Sequence, residues 1–162
     1  MSVMKSIVAD WERQGSKMRS TMPFTIRYAE TDMMGVVHHA NYVLYFEDAR
    51  TKLLDDLGYP YARIEEEGYM SPVVSVELHY GKPLRYAQKP IVRTRVACVT
   101  PMKVTFGYEI FESVEAMEAG EKPNCSGQSV HCIVEVASFK PVSMKKATPE
   151  LFELYKSVVE EG

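Results

Sequence analysis

The sequence predicts an α+β fold in which one antiparallel sheet curls around a single buried helix. A strand-like run at 23–30 leads into a helical pattern at 41–57 whose first turns are apolar almost all round. Four alternating runs follow, joined by short links that favour antiparallel neighbours. No helical pattern separates those runs, so a parallel sheet with crossover helices is not expected.

Residues 3–14 place Val3, Met4, Ile7, Val8 and Trp11 on one helical stripe. The expected organisation is therefore a helical extension over residues 1–20 and a single domain over 21–162. In "PFTIRYAE", residues 23–30, Phe24, Ile26 and Tyr28 alternate with Thr25, Arg27 and Ala29, the pattern of a half-buried strand. In "NYVLYFEDARTKLLDDL", Tyr42, Tyr45, Phe46, Ala49, Leu53, Leu54 and Leu57 follow i, i+3, i+4 spacing. Asn41 is the expected N-cap, Gly58 the residue just past the end, and Pro60 the stop, with a short helix beyond.

The four strands are expected to turn Val74, Val76, Leu78 and Tyr80 inward, then Val92, Thr94, Val96 and Cys98. The third sets Val104, Phe106, Tyr108 and Ile110 on one face, and the fourth Val130, Cys132, Val134 and Val136. Pro83, Pro90 and Pro101 fall between the runs, where strand ends tolerate them. The acidic stretch 113–127 reads as a loose hairpin connection and 149–161 as a terminal amphipathic helix.

A chain of 162 residues, 46% hydrophobic and 25% charged, has the composition of one globular domain. Its net charge of −3 offers no basic field for nucleic acid, although local positive patches leave a phosphorylated small molecule open. Cys98, Cys125 and Cys132 are an odd set without CxxC spacing, which argues against a disulfide framework and a zinc cluster. Cys98 and Cys132 are expected as small core residues. No apolar run approaches the ~20 residues of a membrane helix. Asp10 and Glu12 interrupt the first apolar stretch, so a signal peptide is not expected and the location is read as cytoplasmic.

The chemistry concentrates in "RYAETDMMGVVHHANYVLYFEDAR", residues 27–50. Asp32 follows the first strand, precedes Gly35 and stands a few residues before the helix N-terminus. Such a terminus offers unpaired N–H groups and partial positive charge to an oxyanion, while a nearby carboxylate can act as base or nucleophile. Asp before Gly is equally a turn residue that caps backbone amides, and both readings stand at this point.

His38 and His39 admit metal ligation with Asp32, acid–base chemistry, or a structural bond near the helix start. Adjacent histidines point apart, so no metal site is expected, and one histidine orienting the carboxylate or substrate is preferred. Tyr28 either packs on the strand face or reaches the cluster with its hydroxyl. Glu30 reads as a solvated or ion-paired carboxylate, and Gly35 as a sharp turn or a close approach to a ligand. His79 and His131, on faces opposite the apolar rows, read as structural. The phosphate-loop, dinucleotide, GxSxG and HExxH motifs do not occur.

The segment 27–50 closely resembles the hot-dog-fold acyl-CoA thioesterases of the 4-hydroxybenzoyl-CoA thioesterase superfamily, especially the Tol–Pal-associated branch. The matching positions are Tyr28, Thr31, Asp32, Gly35, Val36, Val37, His39, Tyr42, Phe46, Glu47, Ala49 and Arg50. The stretch "VVSVELHYGKPLRYAQKPIVRTRV" also resembles the family's second strand, Lys-Pro turn and third strand. The resemblance implies a hot-dog fold, a curved antiparallel sheet wrapped around one long central helix. It implies Asp32 as catalytic nucleophile or general base, supported by Tyr28 and His39, with the backbone amide near His39 holding the thioester carbonyl. Gly35, Val37, His38, Asn41 and Tyr42 are the expected substrate-binding positions.

It further implies a homodimer or homotetramer with active sites at subunit interfaces, and no cofactor, coenzyme A being part of the substrate. Three features depart from the family: Gln88-Lys89 where an acidic pair is usual, the amphipathic extension, and Met33-Met34 in the loop, which hints at a lipophilic acyl group. Arg85, Lys89, Arg93, Arg95 and Lys103 are candidates for the coenzyme A phosphates. The expected function is acyl-CoA thioester hydrolysis. The alternatives are a non-catalytic acyl-CoA-binding or regulatory module and, behind it, a hot-dog dehydratase or hydratase.

Overall fold

The structure is a computed structural model that describes residues 19–159. Its elements run β1 (Arg19–Pro23), a 3-10 turn (Tyr28–Glu30), α1 (Asn41–Asp56), α2 (Tyr61–Glu66), β2 (Tyr69–Met70), β3 (Val73–Tyr80), β4 (Ile91–Val99) and β5 (Val104–Phe111). Then follow α3 (Val114–Glu118), β6 (Cys125–His131), β7 (Ile133–Glu135), β8 (Pro141–Val142), α4 (Met144–Ala147) and α5 (Pro149–Val158). Five strands form an antiparallel sheet in the order β1-β4-β5-β6-β3, and β2-β7-β8 make a small second sheet.

The apolar stripe of α1 explains its place. Tyr42, Tyr45, Phe46, Ala49, Leu53 and Leu54 are buried in one core with Val92, Val96, Phe106, Tyr108 and Ile110 of the sheet. Phe46 stacks on Tyr108 at 4.3 Å between ring centres. Gly127 lets the helix lie this close, because a Cβ there would sit 2.9 Å from Phe46 Cε2 and 2.3 Å from the Glu77 carbonyl oxygen. The helix ends as its sequence predicts. Gly58 takes φ +77°, its N–H donates to the Asp55 carbonyl, and Tyr59 N–H reaches back to Leu54.

Several sequence expectations need correction. The first strand lies earlier, at Arg19–Pro23, because its partner β4 begins only at Ile91 and Pro90 has no N–H to give. Phe24 and Ile26 still donate across to Pro90 and Gln88, but the chain then coils into the 3-10 turn and leaves Tyr28 77% exposed. The N-cap of α1 is Ala40, and Asn41 is the first helical residue. Cys98 faces outward, since a bulge between Val96 and Cys98 inserts Ala97 and reverses the alternation.

The fourth run is two strands broken at Cys132, which is only half buried. The inward row of β6 is Cys125, Gly127, Ser129 and His131, so His131 is fully buried in the core, not on the opposite face. In β3 only Leu78 packs against the core, while Val74, Val76 and Tyr80 are exposed on a sheet edge. The 113–127 stretch contains α3, capped by Ser113 and packed through Ala116 on Ile91 and Phe111. The terminal helix runs Pro149–Val158, and the amphipathic stretch 3–14 lies outside the described residues. No described helix is long and apolar enough to cross a membrane.

Candidate active site

Residues 31–40 form a small closed loop between the 3-10 turn and α1. Thr31 bridges to Val37, and inside that bridge Asp32 N–H donates to Val36 at 2.9 Å while Gly35 N–H returns to Asp32 at 3.0 Å. Gly35 adopts φ +75°, which a side chain there would resist. The half-buried Asp32 turns its carboxylate inward on this loop, with Oδ1 accepting the Met34 N–H at 2.8 Å. Among the described residues Oδ2 has no partner. The capping role weighed from sequence is therefore real and uses one oxygen of the two.

The start of α1 is built on the same loop. The Glu30 carbonyl accepts both His38 N–H, at 2.9 Å, and the Asn41 side-chain amide, at 2.8 Å. His38 oxygen takes the Asn41 N–H at 2.9 Å, and His38 Nδ1 takes the Ala40 N–H at 3.2 Å. The His39 carbonyl accepts from the Tyr80 hydroxyl at 3.0 Å. Among the described residues the His39 N–H has no acceptor. Ala40 offers no side-chain cap, and the positive end of the helix dipole lies beside the His39 amide.

A second turn, residues 82–89, clasps the loop. Val37 N–H donates to Leu84 at 2.8 Å, Leu84 N–H to the Tyr42 hydroxyl at 3.4 Å, and Arg85 Nη1 to the Gly35 carbonyl at 3.3 Å. Gln88 Oε1 accepts the Arg85 N–H at 2.6 Å and closes the turn around Ala87, which has φ +69°. Tyr86 meets Tyr28 edge-on at 5.6 Å. Burial raises the Tyr42 and Tyr80 hydroxyls above the usual phenol range, so both stay protonated.

The structure thus gathers Asp32, Gly35, Val37, His38, His39, Asn41 and Tyr42 into one loop and helix start. Val37 and Tyr42 are buried and form its floor; Tyr28 stands at the rim, its hydroxyl without a partner among the described residues. Sequence reasoning missed Tyr80, whose position at the end of an alternating strand marked it only as packing. It also left Arg85 undistinguished among five cations. Arg93 is paired with Glu109 at 2.9 Å on the outer sheet face, and Arg95 lies over Gly107 there. A depression of about 560 Å³ on that outer face holds none of the loop residues. Among the described residues no three or more His, Cys, Asp or Glu side chains converge as a metal site requires.

Residues 26–152 match the family model of the thioesterase-like superfamily. The chain belongs to that superfamily. It is 40% identical over 131 residues to a Bacillus subtilis protein named "Putative acyl-CoA thioesterase YneP", across 81% of this chain and 91% of that one. It is 27% identical to the acyl-CoA thioesterase YbgC of Haemophilus influenzae, across 84% and 96% of the two chains. The DHNA-CoA thioesterase of Staphylococcus aureus superposes with a TM-score of 0.79 at 33% identity, covering 86% of this chain and 90% of that one. The fold is accordingly the hot-dog fold, with α1 as its central helix.

Proposed function

We propose that this thioester hydrolase acts on an acyl-CoA, releasing free acid and coenzyme A, with Asp32 as the reacting carboxylate and the start of α1 polarising the thioester carbonyl. The observation that carries the reading is the His39 N–H, without an acceptor among the described residues, at a helix N-terminus that has no side-chain cap, on the same small loop as Asp32. A carbonyl oxygen placed on that N–H gains most when it becomes an oxyanion. The Met34 bond fixes the Asp32 carboxylate through Oδ1 and leaves Oδ2 for the chemistry.

Two routes fit. As nucleophile, Oδ2 bonds to the thioester carbon, the C–S bond breaks, and water then cleaves the mixed anhydride and restores the carboxylate. As base, Oδ2 takes a proton from water whose oxygen bonds to the carbon, and the departing thiolate takes up a proton. Neither route draws on a cofactor. His39 and Tyr28 flank the reacting groups; Gly35, Val37, His38, Asn41 and Tyr42 shape the pocket. Arg85 is the proposed partner of a coenzyme A phosphate, a choice supported by its bond to the Gly35 carbonyl on the Asp32 loop. Met33 and Met34, both exposed at the mouth, suit a lipophilic acyl group.

Active sites shared between subunits are part of the proposal, and β3 supports them. It is a sheet edge with Val73, Val74, Val76 and Tyr80 exposed, so a second copy pairing there would cover this apolar row and border the His39 amide. A homodimer or a tetramer of such pairs is the proposed assembly.

The turn made by Asp32 favours a second reading, a non-catalytic acyl-CoA-binding module in which the carboxylate only closes the loop. Thiol release from short, medium, long and aromatic acyl-CoAs, by wild type and Asp32→Asn, separates the two. Turnover that collapses in the variant supports hydrolysis; acyl-CoA bound tightly and kept intact for hours by wild type supports the binding module.

A further inference from the structure

We infer that Tyr80 and His38 are positioning residues that hold the His39–Ala40 peptide from both sides and thereby keep rigid the turn whose preceding peptide presents the His39 N–H to the substrate oxygen. The inference rests on the proposed hydrolysis and adds two residues to it. Tyr80 comes from the far end of β3 and reaches the His39 carbonyl at 3.0 Å. His38 Nδ1 takes the N–H of the same peptide unit, that of Ala40, at 3.2 Å. The preceding unit is pinned by its own carbonyl, since His38 oxygen accepts the Asn41 N–H at 2.9 Å.

A peptide is planar, so the His38 carbonyl, held by the Asn41 N–H, sets the direction of the His39 N–H. The Tyr80 and His38 contacts hold the next unit, across the His39 Cα, so that the turn 38–41 cannot rearrange around it. With the units on both sides of the His39 Cα held, the His39 N–H is the polar group of the pair that has no partner among the described residues. Its direction is then fixed before any ligand arrives, which is the condition under which an oxyanion donor works best.

The supports of the two residues are themselves ordered. The Tyr80 ring packs edge-on against Tyr42 at 5.5 Å, and Tyr42 is buried under Leu84. The His38 ring stacks on His39 at 4.3 Å. Accepting the Ala40 N–H at Nδ1 places the His38 proton on Nε2. Tyr80 remains 54% exposed and bonds an exposed carbonyl, a contact that contributes little to stability. Its effect is geometric. It also ties the helix start to the sheet edge on which a second copy would pair.

The test is steady-state thiol release by the full chain with Tyr80→Phe, His38→Ala and His38→Asn, on whichever acyl-CoA the wild type hydrolyses. Phe keeps the packing on Tyr42 and removes only the donor. Expected is a fall in kcat of about tenfold, the size of one misaligned hydrogen bond, with KM changed by less than about twofold. His38→Ala is expected to lose a similar factor. His38→Asn is expected to recover most of it, because an Asn side chain accepts from the N–H two residues on.

A Tyr80→Phe kcat within twofold of wild type, or a rise in KM alone, overturns the inference. So does His38→Asn as impaired as His38→Ala, and the histidine pair decides the matter if Tyr80→Phe does not fold. A wild type that releases no thiol from any acyl-CoA refutes the hydrolase reading itself, a result distinct from these.

Discussion

Ser129 Oγ and His131 Nε2 lie 2.7 Å apart in the core, and Ser129 is also 2.6 Å from the Tyr108 hydroxyl. His131 is fully buried, and this burial, helped by the Arg50 charge, lowers its pKa to about 4. The neutral imidazole is thus the form the fold accepts. Unfolded, the same group titrates near ~6.5. Between those values the unfolded chain binds more protons, so stability is complete above about pH 6.5, falls as pH drops toward 4, and levels off below. The loss is expected to reach at most about 3 kcal/mol. Urea unfolding at pH 7, 6 and 5 reads it, and His131→Gln should flatten the slope; an unchanged slope would assign the acid sensitivity to other groups.

Gly127 is expected to tolerate no side chain. An alanine Cβ would meet the Glu77 carbonyl at 2.3 Å, and backbone cannot rotate away. Gly127→Ala should destabilise the fold by about 2–4 kcal/mol through overpacking and forced strand separation. Thermal unfolding checks this, with a drop of roughly 5–15 °C expected for a chain of this size.

Gly35 behaves differently. The nearest atom to an added Cβ is Arg85 Nη1 at 3.7 Å, so there is room, and the difficulty is the left-handed backbone. Gly35→Ala is expected to lose only about 1–2 kcal/mol of stability. Its kcat should fall more than tenfold, because the strain is released by moving the loop that carries Asp32. Equal, small changes in both quantities would disconnect Gly35 from the chemistry.

How far these residues were legible in sequence depended on the range of the forces involved. The central helix and its end were readable because apolar spacing and the Gly58 turn are local signals. The loop cluster was readable because Asp32, Gly35 and the histidines fall within eight consecutive positions. Cys98 and His131 were placed wrongly because one inserted residue, Ala97, and one strand break, at Cys132, shift a period-two pattern that hydropathy cannot see shifting. Tyr80 and Arg85 were missed for another reason: they reach the loop from 41 and 50 residues away in the chain, and no local pattern marks such contacts.

Asp32 should separate folding from chemistry. Asp32→Asn keeps an oxygen for the Met34 N–H, so the loop closes and the melting temperature stays within a degree or two of wild type. It removes the anionic oxygen, and kcat is expected to fall by about 10²–10⁴. Asp32→Ala loses both and should also destabilise by roughly 1 kcal/mol. If Asn and Ala cost the same stability and neither affects turnover, the carboxylate serves only the turn.

The edge strand gives the last prediction. Val76 lies on the face of β3 that Leu78 turns to the core and Val74 sits at the bulge between Val73 and Ser75, yet they are exposed, 38% and 50%, and β3 pairs only with β6 among the described residues. Apolar residues on an open edge invite association, and a charge there opposes it. Val76→Lys should leave the fold intact, since Val76 sits on an open edge and a lysine stem can lie along the same surface with its charge in solvent, while shifting sedimentation from an oligomer toward the mass of one chain. If sites are shared across this edge, thiol release per chain falls with dissociation and returns at high protein concentration. A monomeric Val76→Lys protein with full activity per chain would place the whole site within one subunit and move the role of β3 from catalysis to assembly alone.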